Sequence, residues 1–260
     1  MKKLLRLLLR LAFWALLFIT GIVLINTLTF HSRQLMMEPV EGEQPDGGAI
    51  GRFSALLSHS TLQATDSLPF RQFWTQVDSS WPLVDSLLYR QPIGGLSRLY
   101  HWPGRNPGLR PILLVAHIDV VPAEAADWTH PPFSGALAED HLWGRGALDD
   151  KVSCAALLEA VETLLRKGYQ PQRSVYLAFG HDEESGGYEG AARIAGHLRE
   201  KGLRFEYVLD EGSLVVEDAL EAVARPVALI GLAEKGFATY TLSVQLPEAG
   251  HSSMPPPQTA

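Results

Sequence analysis

The sequence carries a single cysteine, Cys154, in 260 residues. That excludes an intrachain disulfide and any metal site built on thiolates. Cys154 stands in an apolar helical stretch, where a lone cysteine serves as a small buried residue. Excess positive charge is also missing. The net charge is −7, and because Lys2, Lys3, Arg6 and Arg10 crowd the N-terminus, the remainder carries −11. A body that acidic argues against nucleic-acid binding. There is no internal repeat and no low-complexity tract. What remains is ordinary globular composition, 46% hydrophobic and 20% charged, on a chain long enough to bury a sizeable core.

The N-terminus departs from that composition. Residues 11–30, LAFWALLFITGIVLINTLTF, form an uncharged run of 20 residues, about the length of one membrane-spanning helix. The four preceding positive charges are expected to stay cytoplasmic, which places the rest of the chain outside the cytoplasm as a single-pass membrane protein. The alternative is a signal peptide and a secreted product, although no clear A-x-A cleavage site follows the run. Residues 31–50 are polar and rich in glycine and proline, and read as a juxtamembrane linker.

Residues 51–90 show amphipathic helical patterning, with Phe53, Leu56 and Leu57 on one side and then Phe70, Phe73, Trp74 and Val77. SRLYHW (97–102) reads as a short strand. From 111 the chain alternates strand and helix. PILLVA (111–116) and SVYLAFG (174–180) are continuous apolar runs, as in strands buried on both faces. FEYVL (205–209) is a third strand. Helices are expected over 150–167, with Asp149 or Asp150 at its start, and over about 188–201. Such alternation predicts an α/β fold, a mixed but mostly parallel sheet flanked by helices, spanning 51–234. TYTLSVQL (239–246) instead alternates polar and apolar residues, as an antiparallel strand with one exposed face would. A second α+β domain is therefore expected to begin near 235, with no room to finish by Ala260, so the sequence reads as partial.

The candidate chemistry sits at the ends of these strands. His117 follows PILLVA, Glu183 and Glu184 follow SVYLAFG by two residues, and Asp210 follows FEYVL. The C-terminal edge of such a sheet is where ligands bind. Asp149 arrives from the glycine-rich loop GRGALDD at a helix start. Carboxylates and imidazole without thiolate suit zinc, manganese or cobalt. Asp119, two residues after His117 on an extended backbone, can accept the second ring N–H and orient the imidazole. Of two adjacent glutamates, one can bind metal while the other takes a proton from water. Each piece alone has a plain reading: the aspartate pair as a helix cap, the glutamate pair as a solvated face, Asp210-Glu211-Gly212 as a turn. Their conjunction at strand ends points to a two-metal hydrolase centre.

With these motifs in place the chain resembles the co-catalytic zinc peptidases that include carboxypeptidase S, aminoacylase-1 and the glutamate carboxypeptidases. The stretches that carry the resemblance are HIDVVP, WTHPPFSG, LWGRGALDDK, DEESGG and GHSSMPP. The tryptophan-to-GRG block and the N-terminal apolar segment are similar to the carboxypeptidase S and N-acyl-amino-acid hydrolase branch. The resemblance implies two Zn2+ ions. His117 and Asp210 would hold one, Asp149 would bridge, Glu184 would hold the second, and Glu183 would act as general base and then general acid. It implies a cis bond between Asp149 and Asp150, and an oxyanion-stabilising role for His251 in a lid domain at 235–260 that also forms homodimers. The second zinc in this family takes a further histidine after the lid, and no histidine follows His251 here. The implied substrates are N-acyl amino acids or small peptides with a free C-terminal carboxylate.

Overall fold

The computed structural model describes residues 2–31, 47–62, 66–212, 215–217, 226–233, 236, 238 and 240–243. His251 and half of the strand expected over 239–246 lie outside the described residues. The chain divides into two compact units, Met1–Gln44 and Pro45–Ala260.

The first unit is one helix, α1 (Lys2–Leu28). Its 27 residues rise about 40 Å at 1.5 Å each. By length and composition it can cross a membrane, and its large apolar side chains, Leu4 to Leu28, are exposed.

The second unit opens with three helices, α2 (Gly47–Leu57), α3 (Leu68–Ser80) and α4 (Pro82–Leu87). The expected amphipathic segments are these helices, and α2 starts inside the stretch read as linker. Proline stands in the first turn of both α3 and α4, where its missing N–H costs no hydrogen bond and its fixed φ suits a helix start. The buried carboxylate of Glu162, which belongs to a later helix, covers the start of α4. Its Oε2 accepts the N–H groups of Leu83 and Val84 at 2.9 and 3.0 Å.

A sheet of five strands follows, β1 (Tyr89–Ile93), β2 (Ser97–Trp102), β3 (Ile112–His117), β6 (Val175–Gly180) and β7 (Val208–Leu209), in the order β1-β2-β6-β3-β7. It is mixed, as expected, but not mostly parallel. β1–β2 and β2–β6 are antiparallel, while β3–β6 and β3–β7 are parallel. The antiparallel half enters through β1, which the sequence reading missed. Pro92 interrupts its pattern, and as an edge strand it can carry a proline. A hairpin of β4 (Ala136–Ala138) and β5 (His141–Trp143) was missed as well. Its turn places Glu139 and Asp140 at φ 55° and 59°, a geometry usually signalled by Asn-Gly or Asp-Gly. A further pair, β8 (Val215–Val216) and β9 (Val227–Ala228), forms its own two-stranded ladder.

Helices α5 (Lys151–Arg166) and α6 (Ala191–Glu200) connect the parallel strands. Residues on β6 alternate between two cores. Val175, Leu177 and Phe179 pack with α2–α5, around Trp81, Tyr100 and Leu158. Tyr176 and Ala178 pack with Leu99, Ile194 and Leu198 on the α6 side. All six residues of β6 are buried, which fixes the strand in the centre of the sheet and leaves the carboxyl ends of β3, β6 and β7 aligned at one edge.

Candidate metal centre

His117 is the last residue of β3, paired with Gly180 at the end of β6, so both strands stop at the same level. The chain beyond His117 stays pinned. Ile118 donates to the Gly180 carbonyl at 2.9 Å, Val120 donates to the Thr61 carbonyl at 3.1 Å, and the Thr61 hydroxyl donates to the Ile118 carbonyl at 2.5 Å. His117 is 3% exposed and Asp119 is fully buried, so neither ring nor carboxylate has room to turn away.

Three of the expected ligands come together. Donor atoms of His117, Asp149 and Glu184 all lie within 4.8 Å of one another. Nε2 of His117 is 2.9 Å from Asp149 Oδ1. Glu183, on the 3₁₀ turn Glu183–Ser185, brings Oε2 to 3.9 Å from the same nitrogen. Asp149 reaches the site on the loop between β5 and α5, and its bond to Asp150 is cis. Gly146 in that loop has φ +89°, and a Cβ there would stand 2.8 Å from Val120 Cγ1, so the GRG turn packs directly on the segment that follows His117.

The fourth expected ligand, Asp210, stands outside the two groups of converging donor atoms. Asp210 lines the same cavity, but its Oδ1 accepts its neighbour's backbone N–H at 2.9 Å. Glu211 instead extends Oε2 to 3.6 Å from His117 Nε2. Donor atoms of His117, Asp150 and Glu211 form a second group within 4.8 Å. β7 pairs over only two residues, and successive side chains past a strand end point to opposite sides, so a one-residue difference in where it stops decides which acid faces the imidazole. Sequence reading missed Glu211 and Asp150, although each stands beside a residue that was singled out.

Asp119 does more than orient the ring. The His117 Nδ1 lies 3.0 Å from the Asp119 main-chain oxygen and 3.4 Å from its carboxylate. Both carboxylate oxygens are engaged elsewhere, accepting the N–H groups of Glu183 and Glu184 at 3.1 Å each. One buried acid thus ties the imidazole and the glutamate pair into a single frame.

The electrostatics are those of a crowded anionic site around one imidazole. Burial alone would pull the His117 pKa down, but the hydrogen bond and charge of Asp119, followed by the charge of Glu211, lift it to about 10. Burial raises Glu211 to about 7, with His117 opposing and Asp150, Asp149 and Glu183 adding to the rise. Burial and then Asp149 push Glu184 up as well. Carboxylates that hinder each other's ionisation are stabilised by a cation placed among them. The donor set, one imidazole and several carboxylates, suits zinc and its neighbours among the divalent metals.

The model of Peptidase family M20/M25/M40 matches residues 113–256. The N-fatty-acyl-amino acid synthase/hydrolase PM20D1 of Xenopus tropicalis is 39% identical over 240 residues, covering 91% of this chain and 45% of that protein. Carboxypeptidase S of Saccharomyces cerevisiae is 38% identical over 198 residues, covering 73% of this chain and 34% of that protein. The chain therefore spans about half the length, or less, of the curated relatives it matches. Human carnosine dipeptidase 1 superposes with a TM-score of 0.50 at 19% identity, over 64% of this chain and 38% of that one, a likeness of fold alone.

Proposed function

The chain belongs to Peptidase family M20/M25/M40, and from that premise we propose that it acts as a zinc-dependent hydrolase of amide bonds. The substrates are N-acyl amino acids or small peptides with a free C-terminal carboxylate. The names of its relatives point the same way, one a hydrolase of N-fatty-acyl amino acids, the other a carboxypeptidase. The observation that carries the reading is the convergence of His117, Asp149 and Glu184 within 4.8 Å, with Glu183 beside them at the carboxyl edge of the sheet.

His117 and Glu211 are the proposed holders of one zinc, Asp149 the bridge, and Glu184 a ligand of the second. Glu211 is proposed where Asp210 was expected because its Oε2 stands 3.6 Å from His117 Nε2. Bound zinc supplies a Lewis acid and a water of lowered pKa. Glu183, about half exposed and 3.9 Å from His117 Nε2, removes a proton from the attacking water and hands it to the leaving amine. Asp119 holds the backbone of Glu183 and Glu184 still while this happens. Helix α1 anchors the chain in the membrane with its basic end in the cytoplasm.

The test is Glu183→Gln. Release of free amino acid from an N-acyl amino acid should fall to background, while metal content per chain stays at the wild-type level. Turnover retained by Glu183→Gln would sink the assignment of the base. Metal bound by the wild type without turnover would favour a second reading, a membrane-tethered metal-binding module. That reading draws support from the cluster itself, to which His117 alone among the described histidines contributes.

A further inference from the structure

Asp182 stands immediately before the glutamate pair and has no part in the chemistry described so far. It is 5% exposed. Its carboxylate closes on the far end of its own loop. Oδ2 accepts the Glu189 N–H at 2.6 Å, and Oδ1 accepts the Gly190 N–H at 2.8 Å. Its main-chain oxygen accepts the N–H groups of Ser185 and Gly187 at 3.2 and 2.7 Å. The Ser185 hydroxyl adds another bond to the same oxygen at 3.1 Å. One residue thus gathers the loop from 185 to 190 and delivers it to the start of α6.

The surroundings allow this loop little freedom. A Cβ on Gly190 would lie 2.4 Å from Asp182 Oδ1 and 2.9 Å from the Ser97 hydroxyl. A Cβ on Gly94, in the β1–β2 turn, would lie 2.0 Å from the Glu189 carbonyl oxygen. Ser97, itself fully buried, is 2.6 Å from Nδ1 of His181. The loop is therefore pressed against β1 and β2 on one side, while the N–H groups of Glu183 and Glu184 are drawn by Asp119 on the other. Two buried carboxylates grip the same short turn from opposite ends.

We propose that Asp182 is a positioning residue for the Glu183–Glu184 pair, setting the rotation of the turn while Asp119 sets its distance from His117. This rests on the hydrolase reading above for the roles of the two glutamates, but the clamp itself is a statement about metal geometry and backbone. Asp182→Asn keeps the shape of the side chain and replaces one acceptor with an NH2 group that confronts an N–H donor.

The experiment uses the full chain in lipid nanodiscs. Residues that support a metal ligand through hydrogen bonds typically change affinity or activity about 10-fold to 100-fold when replaced. Asp182→Asn should accordingly lower kcat by about 10-fold or more with KM nearly unchanged. It should also shift the visible d–d absorption of the cobalt-substituted protein, because Glu184 no longer meets the metal at its wild-type angle. A role confined to stability would lower the melting temperature and leave that spectrum alone. In the wild type the amides of Glu189 and Gly190 should exchange with deuterium as slowly as those of α5, a measurement that stands even if the variant fails to fold. Fast exchange at both amides, or a wild-type cobalt spectrum in Asp182→Asn, overturns the proposal. Absence of hydrolysis by every form would instead count against the hydrolase reading and leave exchange and spectrum to decide the clamp.

Discussion

Replacing Glu211 by glutamine asks which acid of the DEG turn holds metal. Glutamine keeps the length and one oxygen of the side chain and removes its charge. Oε2 of Glu211 stands 3.6 Å from His117 Nε2, whereas Asp210 turns its carboxylate onto the adjacent backbone N–H. Four-ligand zinc sites bind with apparent free energies of about 10–16 kcal/mol, or roughly 3 kcal/mol for each ligand. At about 1.4 kcal/mol per factor of ten, Glu211→Gln should weaken zinc binding about 100-fold. Asp210→Asn leaves the converging atoms in place and should stay within the roughly 0.5 kcal/mol, about a factor of two, typical of surface changes. Competition for zinc against a chromophoric chelator measures both constants on the same chain, with thermal melting to confirm that each variant folds. A loss in Asp210→Asn equal to or larger than that in Glu211→Gln would refute the argument and return the ligand role to Asp210.

Three further outcomes follow from buried groups outside the centre. Glu162→Ala strips the acceptor from two buried N–H groups at the start of α4, and at about 1.5 kcal/mol for each bond to a charged acceptor it should cost about 3 kcal/mol in urea denaturation; a loss below about 1 kcal/mol would mean that water replaces the carboxylate. Cys154 is fully buried, and burial pushes its thiol pKa up, so a thiol reagent should label the native protein only as fast as it unfolds. Burial pushes the Tyr100 phenol to about 12 despite the pull of Arg98. Its unfolded value is about 10, so the stability it contributes is complete below pH 10 and disappears as pH rises through 12. Tyr100→Phe should flatten that part of the unfolding curve, and an unchanged alkaline slope would contradict it.

Much of the fold was legible because burial leaves a mark on sequence. The continuous apolar runs of β3 and β6 were found within a residue, since a strand covered on both faces has no room for polar side chains. The helix expected over 150–167 is α5 for the same reason, its buried Ala155, Leu158 and Val161 recurring at helical spacing. β1 and the β4–β5 hairpin left no such mark. β1 is an edge strand, exposed along most of its length, and the hairpin turn uses Glu139 and Asp140 where glycine or asparagine would have announced it. The proportion of parallel pairing was overestimated because alternating strands and helices describe only the half of the sheet reached through α5 and α6. β2 joins by pairing with β6 and β1 by pairing with β2, contacts that no local pattern encodes.

The centre divides along the same line. His117, Glu183 and Glu184 each follow a recognisable strand by a fixed short distance and Asp149 stands at a recognisable helix start, so the element carries the residue to the sheet edge with it. Asp210 and Glu211 follow a strand that pairs over two residues, and no periodicity in the sequence can settle where so short a strand ends. The buried acids beyond the ligands were harder still. Asp182 reads as one more charge in an acidic chain and Asp119 as a partner of the His117 ring alone, yet together they bind four backbone N–H groups around the glutamate turn. Their importance lies in what they accept from the main chain, and main-chain donors are the same at every residue. A sequence can thus show which acids are able to bind metal, while the acids that aim them become visible only when the loop is seen closed.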